Sequence, residues 1–221
     1  MLMFLLGHMA MAYLLGRPVA SAVRRTQPSI PLLFLMGALP DFDLLFPFIA
    51  THGTLTHSVW FWLVPFAVLG AFLGWRTLPY AVGVFQHFLL GDAVMYGVAF
   101  LQPISDVTLR LNVGMPSAAD SVIETGLLLG MIVYLRLSGD LSRILARERR
   151  NLWIILPFVA LVGLSAFATN ETELLPLVTY GFARRALTVI TVDHMILALI
   201  MGLSILQGTR SMRKVTEPRK P

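Results

Sequence analysis

The sequence predicts an all-α fold, a polytopic integral membrane bundle of about seven transmembrane helices. Three observations carry that expectation. The 221 residues are 57% hydrophobic and 13% charged, where soluble domains run near half and a quarter. The apolar runs recur at a length of about 20 residues, which crosses a bilayer core of about 30 Å as a helix. The basic residues gather in alternate connecting segments. Period-2 alternation is absent, so helices rather than a closed barrel must satisfy the backbone in lipid.

The first run, residues 1–16, has no basic residue ahead of it. Arg17, Arg24 and Arg25 follow it, the reverse of a secretory signal, so it reads as a retained helix entering from outside. The second, 29–49, is interrupted by Pro40 and by two carboxylates, Asp41 and Asp43. Trp60, Trp62 and Trp75 bracket the third, 58–75, as interfacial anchors. The fourth, 79–101, carries His87 and Asp92, and the fifth, 121–137, opens on Glu124 with Asp120 just before it. Acids there also suit the positive end of a helix dipole. The sixth, 151–169, carries no motif. The seventh, 186–207, holds Asp193 and His194. Adjacent helical residues point about 100° apart, so only one of these can face a given partner, and an interhelical hydrogen-bond clamp is the plain reading. Arg184 and Arg185, near the outer start of that run, are candidates for drawing in a phosphate.

Segments 17–28, 76–78, 136–150 and 208–221 hold 14 of the 17 Lys and Arg. All fall on one side if the chain crosses seven times with its N-terminus outside and its C-terminus cytoplasmic. The basic excess is then a cytoplasmic anchor in the plasma membrane, and no nucleic-acid partner is expected. One membrane-embedded domain, 1–207, is followed by a basic tail, 208–221, expected to fray. Cysteine is absent, which excludes disulfides, thiolate nucleophiles and Cys-ligated metal. Any metal must be held by His, Asp and Glu.

All five histidines, His8, His52, His57, His87 and His194, lie within or beside apolar runs. An ionisable group deep in a bilayer costs at least about 2.5–3.5 kcal/mol, so it persists where it faces a partner, a water-filled cavity or a metal. The seven-span topology brings His8, Asp41, Asp43, His52, His57, His87 and Asp92 to one level on the extracytoplasmic side. Imidazole and carboxylate together suit zinc, with manganese or magnesium as alternatives, and a mixed His/Asp set suits a hydrolytic centre of two or more ions.

The ordered motifs GHMAMA, LPDFD, HGTLTHS and QHFLLGD, followed by GVAFLQP, resemble the membrane-bound metal-dependent hydrolase family of the LexA-regulated type. That family is distantly similar to zinc-dependent phospholipase C and nuclease P1. The resemblance covers residues 1–125, the motif-bearing part, and implies as metal ligands His8, Asp41, Asp43, His52, His57, His87 and Asp92. Two departures stand out. The family spacing is His-x3-Asp, whereas His87 and Asp92 are separated by four residues, about 140° apart on an α-helix. A π-bulge at Gly91 restores a common face; without one, Asp92 leaves the ligand set. Gly53 also stands where the family has an arginine after the first turn histidine.

These readings lead to a membrane-embedded, metal-dependent hydrolase of a phosphoester such as a lipid phosphate, with Asp92 or Glu124 as general base. The alternative is a proton- or cation-coupled transporter using buried Asp and His. The acids crowd one side, which favours the enzyme. The bilayer is an expected partner, and the oligomeric state stays open.

Overall fold

The computed structural model describes residues 5–24, 27–46, 52–93, 97–108, 110–111, 117–171 and 181–216, the side chains at 24, 165–187 and 213–216 excepted. Its helices are α1 (Leu5–Arg24), α2 (Ile30–Ala38), α3 (Val59–Leu73), α4 (Leu78–Gln86), α5 (Ala118–Leu137), α6 (Asp140–Ile144), α7 (Ile155–Glu171) and α8 (Gly181–Thr216). Turns of 3-10 helix occupy Leu39–Leu45, Leu55–His57, Gly74–Thr77 and Arg149–Ile154, and a π-helical turn occupies His87–Asp92. No extended strand occurs among the described residues. The all-α class holds.

A helix stands at each of the seven expected runs. Among the described residues, however, three runs are long and apolar enough to cross a membrane: Val59–Asp92, Ala118–Leu137 and Thr188–Met212. Seven crossings therefore do not follow from length and composition. Pro40 lacks an N–H and stops regular α-helix, so α2 is only nine residues long and continues as 3-10 helix. The run 59–92 is itself a hairpin. Gly74 turns at φ +63°, and Phe66 of α3 lies 6.2 Å from Phe85 of α4, a pairing that needs antiparallel helices.

Helix α1 is the central post, packed against α2, α4 and α5, while α8 packs on α5 and α7. Leu6, Met9, Tyr13, Leu33, Phe34 and Met131 are fully buried along these contacts. Gly37 sets the approach of α2 to α1, because a Cβ there would overlap the His8 carbonyl and Met9 Cα. By contrast α3 buries no residue, and Phe72 is 82% exposed. So large an apolar face is an aggregation surface in water and an ordinary lipid-facing one in a membrane. Helix α8 runs through Gly208, which packs on Leu152, to Thr216. The basic segment expected to fray after Gly208 is thus helical to that point, with no proline before Pro218 to stop it.

Opposite the histidine-rich end, Asp140 is completely buried. It accepts from Arg17 Nε at 2.7 Å, Arg143 Nη1 at 2.6 Å and the Tyr13 hydroxyl at 3.0 Å, tying α6 to α1. Burial pushes the Asp140 carboxyl up, but the Arg17 and Arg143 hydrogen bonds outweigh it and hold it below the usual carboxylate range. Breaking a buried pair costs about 3 kcal/mol, so Asp140→Asn is expected to lower stability by that order in denaturant unfolding. A depressed folded-state pKa stabilises above the unfolded value of about 4 and is lost as pH falls through the folded value. The gap between wild type and Asp140→Asn is therefore full at neutral pH and closes below about pH 4. A gap that does not depend on pH would contradict this account.

Candidate metal centre

Three short irregular segments and the first turns of α1 deliver the ionisable side chains to one place. The 3-10 turn after Pro40 buries both Asp41 and Asp43, each 5% exposed. Gly53, at φ +81°, turns the chain back, and Leu55–His57 buries His57 before Ser58 caps α3 by accepting from the Trp60 N–H at 3.2 Å. In the π-helical turn the backbone bonds link residues five apart, so His87 and Asp92 stack on one face. The five-residue spacing that an α-helix would splay is brought into register.

Four atoms then converge. His57 Nε2 lies 3.5 Å from Asp41 Oδ1 and 3.2 Å from Asp92 Oδ2. His87 Nε2 lies 3.3 Å from each of the same two oxygens. Ligands ~2.0–2.1 Å from a tetrahedral zinc ion stand ~3.3–3.4 Å apart, so these four separations match four edges of such a tetrahedron. Neither Nε2 has a hydrogen-bond partner of acceptable geometry, and both are buried.

The opposite ring nitrogens explain why Nε2 faces inward. His87 Nδ1 lies 2.6 Å from the Gly37 carbonyl, which can only accept, so Nδ1 carries the proton. Thr56 Oγ1 donates its one hydrogen to Asp43 Oδ2 at 2.7 Å and must therefore accept from His57 Nδ1 at 3.0 Å. With Nδ1 engaged in this way, each ring in its neutral form would present its Nε2 lone pair to a cation held between the two carboxylates. Hydrogen bonds of this kind orient the histidines of metal sites.

The remaining expected residues flank this set. His8 stacks on His87 at 3.6 Å between ring centroids, with Nε2 3.2 Å from Asp92 Oδ1. His52 Nδ1 lies 3.0 Å from Asp43 Oδ1, and its Nε2 is 4.0 Å from Asp41 Oδ1. Two adjacent groups, His8–His87–Asp92 and Asp41–His52–His57, each bring ligand atoms within 4.8 Å of one another. All seven residues expected as ligands are therefore neighbours, and this donor set can hold a metal ion.

Glu124 is not brought into the cluster. It is fully buried on α5 against the backbone of Gly7. Its charged neighbours are Asp120 and Asp193 and not the seven clustered residues, so the described geometry gives the expected general-base role no support. Asp193 accepts from Thr125 Oγ1 at 2.6 Å, clamping α8 to α5, while His194 Nδ1 bonds within its own helix to the Ile190 carbonyl. The side chains of Arg184 and Arg185 lie outside the described residues.

Four residues outside the expected ligand set support it. Gly37 supplies the carbonyl that orients His87, and Thr56 orients His57. Gln86 Nε2 donates to the His8 carbonyl at 3.0 Å. Gly91 leaves room for the His8 ring, because a Cβ at 91 would overlap its Cε1 and Nδ1. Thr56, Gln86 and Gly91 lie inside the motifs HGTLTHS and QHFLLGD, Gly91 at the expected π-bulge, while Gly37 carried no signal.

Comparison with known proteins corrects the expected kinship. The family whose pattern matches is the YdjM inner membrane protein, over residues 3–172. It is a membrane protein family and not one of phospholipase C or nuclease P1-like hydrolases, although a LexA-regulated type is consistent with it. No curated protein and no solved structure matches the chain.

Proposed function

The chain belongs to the YdjM inner membrane protein family, and we propose that it is a metal-dependent hydrolase of phosphoesters, acting on a lipid phosphate at the membrane. The observation that supports this most directly is the buried four-atom set of His57, His87, Asp41 and Asp92, spaced as a divalent cation requires. Zinc fits the spacing best, and a second ion fits the flanking carboxylate oxygens. Bound there, a divalent cation polarises a phosphoryl oxygen and acidifies water at neutral pH.

The chain's own groups have distinct tasks. His57 and His87 are held by Thr56 and Gly37, so their Nε2 atoms need no rearrangement to bind. Asp92 offers one oxygen to the central set and the other to His8. His52, 15% exposed and backed by Asp43, stands at the open edge. In hydrolysis a water oxygen bonds to phosphorus as the ester P–O bond breaks. In this reading the His52–Asp43 pair, hydrogen-bonded at 3.0 Å, takes the water proton and passes it to the departing alkoxide.

The charge pattern supports an extracytoplasmic site with the N-terminus outside. Arg17 lies nine residues along α1 from His8, about 13 Å at 1.5 Å per residue, toward the basic loops. Protein purified in detergent is expected to carry bound zinc or manganese by elemental analysis. It should release phosphate from phosphatidic acid in mixed micelles, with loss after chelation and recovery on adding metal. Absence of both bound metal and metal-restored phosphate release from a folded preparation would refute the proposal.

A further inference from the structure

The His/Asp cluster lies at one end of a membrane-facing apolar groove. Helices α2 and α3 each pack on α4 but scarcely touch each other, and the gap between them is a cavity of about 400 Å³. Leu32, Met36 and Leu39 line it from one face of α2, and Trp62, Leu69 and Leu73 from one face of α3. Leu69 and Leu73 are 43% and 57% exposed, so the groove opens sideways onto the face of α3 that buries nothing.

Two features join the groove to the ionisable cluster. Leu39 immediately precedes Pro40 and Asp41 in the chain. Trp62 Nε1 donates to the Thr56 carbonyl at 2.6 Å, and Thr56 is the residue that hydrogen-bonds Asp43 and His57. The other end closes at the Gly74–Thr77 turn. From Trp62 to Leu73 the helix rises about 16 Å at 1.5 Å per residue, close to half of the roughly 30 Å hydrocarbon core. That is the reach of one acyl chain in one leaflet.

We propose that this groove holds a single acyl chain of a membrane phospholipid whose headgroup phosphate lies at the His/Asp cluster. The proposal rests on the hydrolase reading and adds the site that holds the substrate's chain: the lipid enters from the bilayer between α2 and α3.

Trp62 reports on the groove directly. Protein with Trp60, Trp75 and Trp153 changed to Phe is titrated in detergent micelles with phosphatidic acid bearing a dibromostearoyl chain, and Trp62 quenching is followed. A second protein retains only the exposed Trp153 as a control for general micelle contact. Saturable quenching of Trp62 at a lipid fraction at least 10-fold below that needed for Trp153 is expected. Met36→Phe with Leu69→Phe, which narrows the groove, should move Trp62 to the Trp153 curve while leaving bound metal unchanged. Quenching of Trp62 that merely tracks Trp153, or that the narrowing pair leaves unaltered, overturns the proposal. So does loss of quenching through pairing with a second copy, seen as a dimer by light scattering. The hydrolase reading fails separately, through absent phosphate release from a protein that still binds the chain.

Discussion

His87→Ala is expected to empty the centre: bound metal falls below about a tenth of the wild-type level, and phosphate release falls about 1,000-fold. That loss corresponds to about 4 kcal/mol of transition-state stabilisation at 1.36 kcal/mol per tenfold. The effect is large because one ring does three things. Its Nε2 provides two of the four tetrahedral edges, its Nδ1 ties α4 to the Gly37 carbonyl, and its face carries the stacked His8. Misfolding must be separated from metal loss, and His194→Ala serves for that. His194 is also a largely buried histidine on a helix, but it bonds only to its own helix at Ile190. Its variant is expected to retain metal and activity. Equal loss in both variants would assign the effect to general damage and remove the support for a metal at His87.

The contrast between these two histidines also shows how far the sequence was legible. An ionisable residue in an apolar run signals that something compensates its cost, and that signal marked His87 and His194 alike. Chain order and topology then separated them, because His8, Asp41, Asp43, His52, His57 and Asp92 come from segments that can meet at one level. Glu124 carried the same signal but has Asp120 and Asp193 as its charged neighbours, against the backbone of Gly7. Its depth was legible and its rotation about the bundle was not, since rotation is decided by packing contacts such as Gly37 on Met9. Asp140 fails for a related reason. An acid in a strongly basic segment reads as solvated, and only the fold brings Arg17 across from α1 to bury it. The break between residues 75 and 79 and the interruption at Pro40 were legible in the apolar runs, whereas the number of membrane crossings does not follow from length and composition.

The second large effect is expected at a residue with no side chain to lose. Gly91→Ala should improve intrinsic helix propensity by about 1 kcal/mol, so local preference predicts a gain. Packing predicts the reverse, because the new methyl overlaps the His8 ring. Overpacking typically costs about 1–3 kcal/mol, and displacement of a ring that holds Asp92 Oδ1 is expected to weaken metal binding about 10–100-fold. A double-mutant cycle decides between the two. In a His8→Ala background the obstructing ring is gone, so Gly91→Ala should then be neutral or slightly stabilising, with no additional loss of metal. If Gly91→Ala instead costs as much with alanine at position 8 as with histidine, the π-helical turn is intolerant of any side chain there, and the glycine's role is not to admit His8. The cycle thus tests whether the extra residue between His87 and Asp92 serves two purposes at once: aligning those two ligands on one face, and opening the space through which α1 brings in a third.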